Sequence, residues 1–205
     1  MHKILSMKKY LILFTVLFFV ISYAQDNKAE TSQEFQNNLN KEYADKKQSP
    51  LSDDDFQVFK SLDFYPINEK FIVEAKFVRT KNEKIFVMKT STTRLPRYKK
   101  YGELSFVIDE KQFKLNVYQN IDLSKREGYK DYLFLPFSDL TCGKESYLGG
   151  RYIDMRFPKS ETVIINFNKA YNPYCAYNHK YSCPIVPLEN DLKIEILAGV
   201  KKFND

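Results

Sequence analysis

The chain has 205 residues, 32 Lys and Arg against 26 Asp and Glu, three Cys, two His, no Trp, and a formal net charge of +6. That length suits one domain with a substantial core. Lys3, Lys8 and Lys9 are the only charged residues before residue 25, so removing residues 1–24 lowers the net charge to +3; so weak a basic excess argues against nucleic acid as a partner.

The three lysines precede an apolar run, Leu11 to Ile21, broken only by Thr15. Ser22-Tyr23-Ala24 then places small residues two apart. This is the order of a secretory signal peptide. The run is also shorter than the about 20 residues that span a bilayer. We expect residues 1–24 to be a signal and the protein to be exported, periplasmic or secreted, with no stable membrane span after cleavage.

Residues 25–50 read as a polar helical segment. Thr31 and Glu34 fit a capping box, and Phe35, Leu39 and Tyr43 make one narrow apolar stripe. Pro50 ends it. Ser52 followed by Asp53-Asp54-Asp55 predicts a second, short helix, with its acids at the positive end of the dipole. Phe56 and Phe59 would face the core.

Residues 51–205 read as a β-rich domain. From Phe71 the apolar period is two: Phe71, Val73, Ala75, Phe77; then Phe113, Leu115, Val117; then Leu192, Ile194, Ile196. Further strand-like runs are residues 85–90, 103–109, 132–137, 151–157 and 162–168, with a hairpin turn expected at 109–112. Arg94 to Lys100 reads as a solvated basic loop. About eight short strands predict a mainly β fold, an antiparallel sandwich or barrel-like single domain with a short N-terminal helical segment.

The segments PFSDLTCG (136–143), SYLGGRY (146–152), FNKAYNPYCAY (167–177) and CPIVPLEN (183–190), with LDFYPIN (62–68) before them, carry a resemblance. The chain resembles an uncharacterised bacterial family, domain of unknown function 1684. The family carries no established activity, so the resemblance implies which residues cluster and no chemistry. Three positions depart from the family pattern: Asn166 and Val200 stand where it usually has acids, and Cys142 where it has small residues.

The clustered polar residues have two readings. Arg151, Tyr147, Tyr152, Asn168, Tyr171, Asn172 and Asn190 could line a site for a small molecule or peptide, with Arg151 gripping an anionic group. They could equally form a buried network that sets loop geometry. Asp139, Glu145 and Glu189 are candidate acids and bases for a hydrolase. A module making only structural contacts is the third possibility. No nucleophile elbow, zinc-protease motif, P-loop or dinucleotide fingerprint occurs, and no cofactor is expected.

Cys175 and Cys183 are eight residues apart, and in an exported protein a disulfide is the default expectation. A loop that short would contribute about 2–3 kcal/mol. The alternatives are a metal site from Cys175, His179, Cys183 and Cys142, and a Cys175 nucleophile activated by His179.

Overall fold

The period-two pattern is realised as one antiparallel sheet, curled into a half-barrel. The computed structural model describes residues 29–203, and the expected signal lies outside them. The strands are β1 (Ile72–Arg79), β2 (Phe86–Val87), β3 (Arg97–Ile108), β4 (Lys111–Asn120), β5 (Tyr132–Phe137), β6 (Arg151–Arg156) and β7 (Thr162–Asn166). Their order is β6-β5-β4-β3-β1-β7, with β2 paired to β3. Among the described residues no helix is long and apolar enough to cross a membrane.

Alternation explains which side chains go where. In β1 every second residue, Val73, Ala75 and Phe77, is buried. These meet Leu104, Leu115, Leu135, Phe137 and Phe167 in the main core. β5 has no polar alternate: Leu133, Leu135 and Phe137 enter the main core, while Phe134 packs on the other face with Tyr98, Tyr118 and Tyr152. A strand covered on both faces is apolar throughout. The β3–β4 hairpin turns on Asp109 and Glu110 at φ 49° and 62°. Two left-handed residues match the twist of the flanking strands. The turn is therefore shorter than expected, and Lys111 and Gln112 pair with Ile108 and Val107.

The helical segment docks. α1 (Ser32–Ala44) buries Tyr43 completely among Leu51, Leu62, Tyr177 and Val200. Leu39 and Phe56 pack on the edge of that cluster. Asn40 Oδ1 accepts from Leu62 N–H at 2.8 Å, and Asn166 Nδ2 donates to Ser32 Oγ at 2.9 Å. α2 (Asp53–Val58) is capped as expected, with Asp55 N–H donating to Ser52 Oγ at 3.1 Å.

Three expected elements differ. Residues 85–90 give only the two-residue β2. Arg97 to Lys100 open β3 and are no loop. Residues 192–196 bury Leu192 and Ile196 but form no strand. Its backbone is bonded piecemeal instead: Leu192 N–H donates to Ser138 O at 2.8 Å and Ile194 O accepts from Leu140 N–H at 3.0 Å, while Ile196 N–H donates to Asp139 Oδ1 at 3.3 Å and Ile196 O accepts from Arg151 at 2.9 Å.

Leu135 is fully buried in the main core. Leu135→Ala should cost about 2–5 kcal/mol, read as a lower urea midpoint by far-UV circular dichroism. An unchanged midpoint would contradict its place in the core.

Candidate functional site

The polar cluster expected from the sequence divides into a buried framework and an open groove. Arg151 belongs to the framework. It is wholly buried, and its Nη2 donates to Asp139 Oδ2 at 2.7 Å and to Ile196 O at 2.9 Å. Nη1 donates to Ala198 O. Asp139 is completed by Thr141, whose N–H and hydroxyl donate to Oδ1 at 2.8 and 2.6 Å. Arg151 therefore does not reach out to a ligand: both terminal nitrogens are bonded to carbonyls and a carboxylate, while Nε is buried without a partner. Gly150 lets β6 start there. At φ 82°, any Cβ would meet Phe137 O at 2.6 Å.

Asn168, Asn172 and Asn190 were candidates for ligand contact, and each is fully buried. Each clips one loop to another. Asn168 accepts from Asn68 N–H at 2.9 Å and donates to Asn68 O at 3.0 Å, as a peptide group would. Asn190 does the same to Asn116, with both bonds at 2.8 Å, and also donates to Pro136 O at 2.6 Å. Its carboxamide bridges β4 and β5 where they part beside a proline that has no N–H. Asn172 donates to Lys201 O at 2.8 Å. The positions that depart from the family pattern join this framework. Asn166 caps the turn at Phe167–Lys169, and Val200 is buried against α1.

The candidate acids do not meet as a catalytic pair. Asp139 is closed inside the framework. Glu145 is exposed and accepts from the Tyr65 hydroxyl at 3.2 Å. Glu189 is exposed on the short turn Leu188–Asn190.

The expected disulfide is not formed; all three cysteines are free thiols. Cys175 and Cys183 are in contact nonetheless, with Cys175 N–H donating to Cys183 Sγ at 3.1 Å. The Cys183 thiol and the Tyr147 hydroxyl support a Cys175 thiolate, so its pKa falls well below the usual thiol range. Cys183 moves the opposite way, because its thiol proton is held in the hydrogen bond to Cys175 and the site is buried. The alternative metal set is not assembled. His179 is exposed, Cys142 is held by Asp139 N–H and the Ser146 hydroxyl, and among the described residues no three His, Cys, Asp or Glu gather.

The groove lies on the other face of β5 and β6, with a volume of about 760 Å³. Its floor follows from register. Phe134 pairs with Asp154 and Pro136 with Tyr152, so Tyr132, Phe134, Tyr152 and Asp154 share one face. Phe35 and Leu39 of α1 form one wall; Tyr171 and Tyr174 form another. Tyr152 and Tyr171, both expected site residues, reach this groove, and Tyr147 does not line it. Asp154, which sequence reasoning missed, is its centre. The Tyr132 and Tyr171 hydroxyls both donate to Asp154 Oδ1, at 2.7 and 2.5 Å.

Asp154 is exposed on the groove side, and its carboxyl is partly enclosed by the tyrosine side chains. That enclosure raises its pKa above the ordinary carboxylate value; the two tyrosine hydroxyls and Arg156 oppose the rise without cancelling it. Both tyrosines are pushed upward, chiefly by burial, and so remain protonated donors.

An acid with a raised folded-state pKa binds more protons folded than unfolded, so its stability penalty grows as pH rises through that pKa and is complete above it. Asp154→Asn should therefore be more stable than wild type at pH 7, the difference shrinking toward pH 4, in paired thermal melts. A uniform loss at every pH would contradict the assignment. Asp139→Asn strips Arg151 of its countercharge and should cost about 3–5 kcal/mol, measured by urea unfolding. For the thiols, alkylation in denaturant should add three groups per chain; a single adduct would show Cys175 and Cys183 joined.

The Arg151–Asp139 framework and the groove floor lie within residues that match a known family, while the α1 wall of the groove lies outside them. Residues 57–201 match the family described as protein of unknown function (DUF1684). No curated protein matches the chain. Among solved structures, the chain is similar to the solution NMR structure of an uncharacterised protein of Haloarcula marismortui, at 29% identity and a TM-score of 0.65. That similarity covers 82% of this chain and 91% of the other. Because the match takes in the buried Arg151–Asp139 pair, the asparagine clips and the groove floor alike, the chain belongs to the DUF1684 family.

Proposed function

We propose that this is an exported binding protein whose groove takes a small organic molecule or a short peptide segment. The observation that carries the reading is Asp154. Both tyrosine donors are committed to one oxygen of an exposed carboxyl in an aromatic groove, which leaves the other oxygen free to meet a ligand. Acids with a shifted pKa concentrate at functional sites. The concave, aromatic lining with few polar groups suits a ligand of modest size.

Hydrolysis by paired carboxylates has less support. Glu42, the acid on the facing helix, accepts the Tyr174 hydroxyl at 2.8 Å, and Asp122 at the rim is paired with Arg97 at 2.6 Å. Export is supported by the order of residues 1–24 alone, lysines, apolar run and small residues.

A fragment screen read by ¹H–¹⁵N NMR tests the binding reading. Bound fragments should shift the amides around Tyr132, Tyr152, Asp154 and Tyr171, and Tyr171→Phe should weaken them. Fragments that gather elsewhere would contradict it. N-terminal sequencing of protein from intact cells tests export: the chain should begin at Gln25 and lie outside the cytosol. An intact start recovered from the cytosol would refute it.

A further inference from the structure

We propose that the groove selects an organic ammonium cation, held by Asp154 Oδ2 and surrounded by the rings of Tyr132, Tyr152 and Tyr171. The proposal rests on the groove being a binding site and names the class of its ligand.

Three observations point to a cation. First, the hydrogen bonding of Asp154 is one-sided. Both tyrosine hydroxyls donate to Oδ1, and among the described residues no protein group donates to Oδ2. Second, among the described residues no protein cation forms a salt bridge with it, although Arg156 acts on it at a distance and Arg94 and Arg126 also line the groove. Arg156, the nearest arginine along β6, is committed to Asp131 at 2.8 Å and Gly128 O at 2.6 Å. At the rim, Arg94 donates to Ser182 O at 2.7 Å. Third, the surrounding rings form perpendicular walls. Tyr152 stands edge-on to Phe134 at 4.6 Å and 76°, and to Tyr171 at 6.0 Å and 89°. Tyr132, Tyr152 and Tyr171 all line the groove together with Asp154, and an ammonium group against an aromatic face is attracted to its electron-rich centre.

A neutral ligand would leave the carboxylate unpaired inside an aromatic enclosure. An anion would add repulsion to that burial. An ammonium supplies both the missing countercharge and a fit to the rings. The groups facing Asp154 are Tyr132 from β5, Tyr171 from the segment after β7 and Arg156 from β6. Beyond them, Tyr174 lies within electrostatic reach and carries its bond to Glu42 of α1. The tyrosines stay protonated, so within this set Asp154 is the group whose charge changes below neutrality. A bound cation favours its ionised form, and affinity should rise as pH climbs through its pKa.

The test uses the full chain and a matched pair of probes. Choline and its uncharged isostere 3,3-dimethyl-1-butanol are titrated by calorimetry and by ¹H–¹⁵N NMR, at pH 7.5 and pH 4. The proposal predicts shifts at Tyr152, Asp154 and Tyr171, choline favoured at least about tenfold over the isostere, and weaker choline binding at pH 4. Asp154→Asn should abolish that preference, and Tyr171→Phe should reduce affinity while keeping it. Equal binding of the two probes in the groove would overturn the ammonium class and leave the binding reading standing. Failure of both probes to perturb the groove would overturn the ammonium class too; the fragment screen then decides the binding reading separately.

Discussion

The buried pair of Arg151 and Asp139 is the constraint on which the rest of the molecule depends. It is the first residue of β6 and a loop residue just past β5, joined at 2.7 Å with neither side chain exposed. The same guanidinium collects carbonyls of Ile196, Ala198 and Val200, so one side chain anchors the C-terminal segment. A charge pair removed from water is tolerated only when its remaining hydrogen-bonding capacity is filled. Thr141 and the Ile196 N–H do this for Asp139. With Arg151 fixed inward, alternation sends Tyr152 and Asp154 to the opposite face of β6. The framework thereby aims the groove floor.

The two faces of β5 and β6 thus show opposite treatments of charge. On one, a carboxylate has a guanidinium and every oxygen is engaged. On the other, Asp154 has tyrosine hydroxyls at one oxygen only and no countercharge in contact. The first arrangement serves stability. The second leaves one carboxylate oxygen facing a cavity. The contrast is the physical basis of the proposal that the groove binds a ligand while Arg151 holds the framework.

Much of the fold was legible because period-two burial is a local signal. Val73, Ala75 and Phe77 declared their face, and Ser52 declared its cap. The Leu192–Ile196 alternation misled, because the backbone of Ser138 and Leu140 and the side chains of Asp139 and Arg151 share its hydrogen bonds, and no local pattern records that. The site was legible only in part. A chain cannot show whether clustered Arg and Asn residues face a ligand or one another; that depends on which loops their amides complete. Tyr152 and Tyr171 were found as aromatic neighbours. Asp154 was missed although it stands two residues after Tyr152 and so shares its strand face. Its partner Tyr132 comes from another strand, and only the β5–β6 register brings them together.

The most direct measurement is the titration midpoint of the Asp154 carboxyl, followed by side-chain ¹³C NMR in the unliganded protein. The account predicts a midpoint clearly above the ordinary aspartate value of about 3.9, because aromatic enclosure outweighs the two tyrosine hydrogen bonds. A midpoint at or below that value would mean that Asp154 is already well satisfied by the protein. The case for the groove as a binding site would then lose its foundation.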